Sequence, residues 1–182
     1  GVQTCALPIS KRGTVQSGLV FHVTAAVRQS YPGTGTTWYD LSGNNNHGTL
    51  INGVSYLTSN GGVMNFDGVN DGVSISAFDM SQLANATNSV SFWINPTTTN
   101  VIASPLGIGQ FGINLSMRFN FQNLEWSFGG TAVLSVPFSN ANYANRWTHV
   151  IATATATGAL MYFNGVQVGS RSDTVSDRKS TR

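Results

Sequence analysis

The spacing of apolar residues limits this chain more than any other feature, because they recur at every second position along most of its length. Ser89-Val90-Ser91-Phe92-Trp93-Ile94-Asn95 is the clearest run. A period of two sends successive side chains to opposite faces of a strand, whereas a helix needs apolar residues three and four apart, and that spacing is almost absent. The run ends at Pro96, which has no N–H for a sheet ladder. Gly72-Val73-Ser74-Ile75-Ser76 alternates in the same way. Further strands are expected at residues 18–23, 49–51, 63–66, 100–103, 112–120, 124–128, 131–136, 147–157 and 159–163, with one helical turn at 78–83. Asn164-Gly165 has the residue types of a type I′ hairpin turn leading into Val166-Gln167-Val168. The segment 31–48 is dense in turn formers and reads as a long loop. So many short strands separated by turns predict an all-β, two-sheet antiparallel sandwich in one domain. On the apolar phase of their runs, Leu19, Phe21, Phe66, Val73, Ile75, Phe92, Ile94, Trp147 and Tyr162 are expected to face inward. Val90, Phe92 and Ile94 then share one face and leave Trp93 on the other; Trp93 and Trp147, both in strand patterns, are expected in the core, and Trp126 fits either face.

The two ends lack this grammar and are related to each other. Read as GAT CGG AAG AGC ACA CGT, Asp177-Arg178-Lys179-Ser180-Thr181-Arg182 has an opposite strand that translates as Thr-Cys-Ala-Leu-Pro-Ile, which is residues 4–9. The match resembles a sequencing adapter translated at both ends of a short insert. Residues 1–10 and 177–182 are therefore expected to be foreign, exposed and unpaired, and 11–176 to be the natural domain, cut at its C-terminus. The excess of nine Lys and Arg over seven Asp and Glu disappears once the charges at 177, 178, 179 and 182 are set aside. No nucleic-acid footprint remains. The lone cysteine, Cys5, lies in the leader, so the domain has no disulfide framework and no thiolate metal site. No apolar run reaches the roughly 18 to 20 residues of a membrane span.

Several blocks stand in a recognisable order: Gly18-Leu19-Val20; Tyr31-Pro32-Gly33; Thr36-Thr37-Trp38-Tyr39-Asp40-Leu41-Ser42-Gly43-Asn44; and His47-Gly48-Thr49-Leu50. They are followed by Asn65-Phe66-Asp67-Gly68-Val69-Asn70-Asp71, Val90-Ser91-Phe92-Trp93-Ile94, Trp147-Thr148-His149-Val150 and Tyr162-Phe163-Asn164-Gly165. Over about residues 17–170 the chain resembles the laminin G-like jelly rolls of the concanavalin A-like lectin/glucanase superfamily, as found in bacterial surface and phage proteins. The resemblance implies a jelly roll whose last strands are absent here, and an extracellular, cell-surface or virion setting with flanking domains. It leaves function open among lectins, adhesins, spacers and glucanases. Gly72 stands where the family commonly has an aromatic residue after Asn-Asp.

Glycoside hydrolysis needs two carboxyl groups flanking the scissile bond. Glu125 is the only glutamate, and Asn123-Leu124-Glu125-Trp126-Ser127 does not match the Glu-x-Asp-x-Glu strand of the sandwich-fold glucanases. Most aspartates fall in turn contexts, where they bond backbone groups. The chain is accordingly expected not to be an enzyme. His22 and His149 sit in strand patterns and read as hydrogen-bonded sheet residues. Two loops have oxygen side chains spaced as at the start of a hard-cation site. Asp40 and Asn44 in the first and Asp67 and Asp71 in the second are candidate calcium ligands, with self-capping turns as the alternative at both. The first is no EF-hand, since Asn45 replaces its glycine and Ile51 its bidentate glutamate. For a glycan, rings would stack on sugar faces while amides take hydroxyls. Tyr31, Trp38, Tyr39 and Asn46 offer that mixture, although Trp38 equally suits a buried plug. The leading expectation is a carbohydrate-binding or adhesion module of a larger protein. The alternatives are a structural spacer and an accessory domain of a polysaccharide-degrading enzyme.

Overall fold

The computed structural model describes residues 16–76, 78, 87–108, 115–127, 133–155 and 157–172. Both terminal segments expected to be foreign lie outside the described residues, as does the helical turn at 78–83 apart from Phe78. The chain forms two compact units, Gly1–Asp79 and Met80–Arg182. As expected, the described residues are nearly all strand and turn, every strand pairing is antiparallel, and the helical elements among them are one short α-helix and one 3₁₀ turn at Ser59–Gly61. None of their helices is long and apolar enough to cross a membrane.

In the first unit, β1 (Thr37–Trp38), β2 (Gly48–Ile51) and β5 (Gly72–Ser74) form one sheet in the order β1-β2-β5, and β3 (Ser55–Leu57) pairs with β4 (Val63–Asn65). A Cβ on Gly48 would lie 2.7 Å from Val73 Cγ1, so β2 begins with the one residue that lets β5 approach. The strand expected at 18–23 does not form. Its backbone groups are taken by side chains and by a distant loop: Leu19 and Val20 O accept from Asn44 Nδ2, His22 N donates to Asp40 Oδ1, and His22 O accepts from Leu41 N. Short polar side chains compete with ladder pairing in this way.

The second unit is a sandwich in its own right. One sheet has the order β13-β12-β11-β6, and the other β10-β9-β8-β7. The first contains β6 (Asn88–Ile94), β11 (Thr148–Thr155), β12 (Gly158–Phe163) and β13 (Val166–Ser172); the second contains β7 (Ile102–Ile108), β8 (Leu115–Asn120), β9 (Asn123–Ser127) and β10 (Val133–Pro137). The helix α1 (Asn140–Tyr143) links β10 to β11. Strict alternation on β11 and β12 turns Val150, Ala152, Ala154, Ala159, Met161 and Phe163 inward. They share one core with Met117, Phe119, Leu124, Trp126, Leu134, Val136 and Phe138 of the facing sheet and its exit. The alanines leave volume for the large side chains of the opposite layer, as a close-packed interior requires. Phe138 stacks on Tyr143 at 4.2 Å and meets Phe163 edge-on at 5.0 Å, which ties α1 to the end of the sandwich. At the β12–β13 turn, Asn164 and Gly165 have φ of 50° and 82°, the left-handed pair the hairpin signal called for.

Val90, Phe92 and Ile94 pack against the core as expected, and Leu19, Phe21, Val73 and Ile75 are half-buried. Four aromatic assignments need correction. Trp93 is 62% exposed rather than core, because alternation along β6 turns Asn88, Val90, Phe92 and Ile94 inward and Ser89, Ser91 and Trp93 to solvent. Phe66 follows β4 and Trp147 precedes β11, so neither is bound to a strand's inner phase, and both are exposed. Tyr162 faces outward between buried Met161 and Phe163; Leu160-Met161-Tyr162-Phe163 is apolar throughout, so its sequence carries no phase. Trp126 is fully buried.

Candidate functional site

The long loop of the first unit is organised around Asp40, which is buried. Its Oδ1 accepts from the backbone N–H groups of His22 and Ser42, each at 2.9 Å. Its Oδ2 accepts from Ser42 Oγ at 2.7 Å and from Asn46 N–H at 3.0 Å. Burial disfavours the charged form, but these four bonds, the Ser42 hydroxyl foremost, outweigh it and hold the carboxyl below its ordinary 3.8. The Asp40 N–H donates to His47 Nδ1 at 3.1 Å, which places that ring's proton on Nε2. Asn44 Nδ2 reaches Leu19 O at 3.0 Å, and Asn46 Nδ2 reaches Val20 O at 2.9 Å.

The ring residues expected to hold a ligand are divided. Tyr31 is buried, donates its hydroxyl to Gly35 O at 2.9 Å and lies against Tyr56. Asn46 is buried as well. Trp38 is half-buried, and its Nε1 is enclosed without a hydrogen-bond partner among the described residues, the position of a plug. Tyr39 alone of the four is exposed, at 42%, with its ring edge-on to His47.

The second loop is a tight turn. Asp67 Oδ1 accepts from Val69 N–H at 2.8 Å, and Asp71 Oδ2 accepts from Asp67 N–H at 2.9 Å. Asp67 is held below 3.8, chiefly by the Val69 N–H. Asp71 Oδ1 is enclosed with no partner among the described residues. The structure thus brings Asp40 and Asn44 into one network and Asp67 and Asp71 into another, and no hydrogen bond among the described residues joins them. Calcium takes six to eight oxygens. Asp40 has both oxygens committed, so the first loop does not fit the ion. The second leaves two carboxylate oxygens, Asp67 Oδ2 and Asp71 Oδ1, without a hydrogen bond among the described residues, and no cluster of three or more His, Cys, Asp or Glu occurs among them.

Two constellations lie on the sheets of the second unit. Glu125 on β9 faces Arg118 on β8. Its Oε2 accepts from Arg118 Nε and Nη2, both at 2.9 Å, and its Oε1 from Asn120 Nδ2 at 2.9 Å. On the other sheet, exposed Trp93 stacks on His149 of the neighbouring strand. Sequence reasoning did not single out this pair, because only the β6–β11 register sets residue 93 opposite residue 149.

No curated protein matches the chain significantly. Among solved structures, it is similar to the binding domain of Botulinum neurotoxin DC in complex with rat synaptotagmin II, at 17% identity, with a TM-score of 0.62 and 91% of this chain covered. It is also similar to the binding domain of Paraclostridial Mosquitocidal Protein 1, at 16% identity, with a TM-score of 0.54 and 87% covered. The chain spans 42% and 41% of those two chains, and likeness at this identity speaks to fold. A family model, Laminin_G_3, matches residues 66–182, well over half of the sequence. With its antiparallel sandwich in agreement, the chain belongs to the concanavalin A-like lectin/glucanases superfamily, in the Laminin_G_3 family.

Proposed function

We propose that the chain is a non-catalytic carbohydrate-binding or adhesion module of a larger extracellular, surface or virion protein. The observation that carries this reading is the state of Glu125. A hydrolase needs one carboxyl free to give a proton and a second free to attack or to activate water. Both oxygens of this lone glutamate are already engaged by Arg118 and Asn120. The two similar solved domains are binding domains, which supports the same direction. Calcium enters this reading only at the Asp67–Asp71 turn, where Asp71 Oδ1 lacks a protein donor. A rise in Tm at millimolar calcium supports that ion, and an unchanged Tm removes it. The reading as a whole is tested by applying the full chain to a glycan array and, in parallel, to polysaccharides assayed for released reducing ends. Retention on the array with no release is expected; release of reducing ends, or no retention at all, overturns it.

A further inference from the structure

Strand β6 presents Trp93 on the face of the β13-β12-β11-β6 sheet turned away from the core. His149, its direct cross-strand partner on β11, stacks on the indole with centroids 4.9 Å apart and planes 15° from parallel. His149 Nε2 shares a hydrogen bond with Ser91 Oγ at 2.8 Å, and Asn164 Oδ1 accepts its backbone N–H at 2.9 Å. The imidazole is therefore held in place. It backs one side of the indole, and Trp93 as a residue is still 62% exposed.

The strand registers extend this face. Ile151 stands opposite Ser91, Tyr162 opposite Ile151, and Gln167 opposite Tyr162. None of these positions, nor those of Trp93 and His149, is Asp, Glu, Lys or Arg. Two strand spacings, about 9.5 Å, separate β6 from β12, so Trp93 and Tyr162 bracket a strip longer than one sugar ring. An open aromatic ring beside hydroxyl, amide and imidazole groups matches a ligand with C–H faces and hydroxyls and no charge. An anionic glycan would find no Lys or Arg on these rows to pair with.

Resting on the carbohydrate-binding reading above, we infer that the outer strip carrying Trp93 on its His149 backing, with Ser91, Tyr162 and Gln167 beside it, binds a neutral oligosaccharide. One sugar stacks on the free face of Trp93, and the polar side chains take its hydroxyls and those of the next unit.

The test applies the full chain to neutral gluco-, manno-, galacto- and xylo-oligosaccharides printed beside sialylated and sulfated glycans. The best-retained neutral oligosaccharide is then titrated by isothermal calorimetry, a readout that does not depend on the indole removed. Trp93→Ala is expected to weaken binding roughly tenfold or more, Trp93→Tyr to stay within about threefold of the parent, and Phe121→Ala, which removes an exposed ring elsewhere, to change nothing. Should Trp93→Ala fold poorly, Trp93→Tyr and Ser91→Ala, each checked by its Tm, carry the comparison. Parental affinity in folded Trp93→Ala with loss in Tyr39→Ala overturns this assignment and leaves the binding reading standing. Retention of acidic glycans alone overturns the neutral ligand, and retention of none overturns both. A dimer in sedimentation that Trp93→Ala dissolves assigns the face to a second copy and overturns the inference as well.

Discussion

Asp40 shows how one carboxylate can replace a strand. Four donors converge on it, and the two amide N–H groups furthest from it in sequence, those of His22 and Asn46, are the ones that close the loop. Hydrogen bonds to a charged group are each worth about 1.5–3 kcal/mol net, so Asp40→Asn, which keeps the shape and removes the charge, is expected to cost about 3 kcal/mol in a denaturant titration. The pH dependence follows from the direction of the shift. The folded carboxyl titrates below 3.8, so near that pH the unfolded state binds the proton more readily. The stabilisation is therefore fully present above the unfolded value and is lost as pH falls through the folded one. Tm should drop below about pH 4 in the parent and drop less steeply in Asp40→Asn. The spacing of oxygens from Asp40 to Asn46 was legible in the sequence, but their purpose was not. Turn closure and cation binding ask for the same side chains, and only the placement of residues 19–22 beside them decides between the two.

At the scale of the element, glycines mark where strands come closest. A Cβ on Gly169 of β13 would stand 2.3 Å from Val136 Cγ1 and 3.4 Å from Leu134 Cδ1, side chains of the facing sheet. Gly169→Ala must displace Val136, and a loss of about 1–3 kcal/mol is expected, read as a lower midpoint in urea with an unchanged m-value. The edge strand β7 carries a different device. It has a register irregularity between Ala103 and Leu106, with Pro105 inside it, beside 65%-exposed Ile102. Proline and a bulge blunt an open edge against pairing with another chain. Pro105→Thr should restore donors along that edge and raise light scattering on incubation above the parent level. Most strands were legible from alternation or from the Asn164-Gly165 turn. The exceptions have two causes: β1 and β3 are too short for an alternating run to register, whereas residues 18–23 alternate but spend their backbone elsewhere.

Over the whole molecule, the core is unevenly shared. The second unit holds one continuous cluster from Met117 to Phe163, whereas among the described residues of the first the buried apolar ones are Ala25, Tyr31 and Leu50. Amide exchange should therefore be slowest in β11 and β12 and faster throughout the described part of the first unit, and Asp40→Asn should speed exchange in the first unit alone. Equal protection of both units would contradict this division. The sequence by itself determined the all-β class, the antiparallel connections and the family resemblance, because side-chain alternation and left-handed turn residues are local properties that act through a few neighbouring bonds. Tertiary structure alone decided which aromatic rings are open and which are spent. Whether Tyr31 is a platform or a buried strut, and whether Trp93 meets His149 or the core, depends on strand register and on loop packing between residues up to 56 apart in the chain, as Trp93 and His149 are. No local pattern encodes that information.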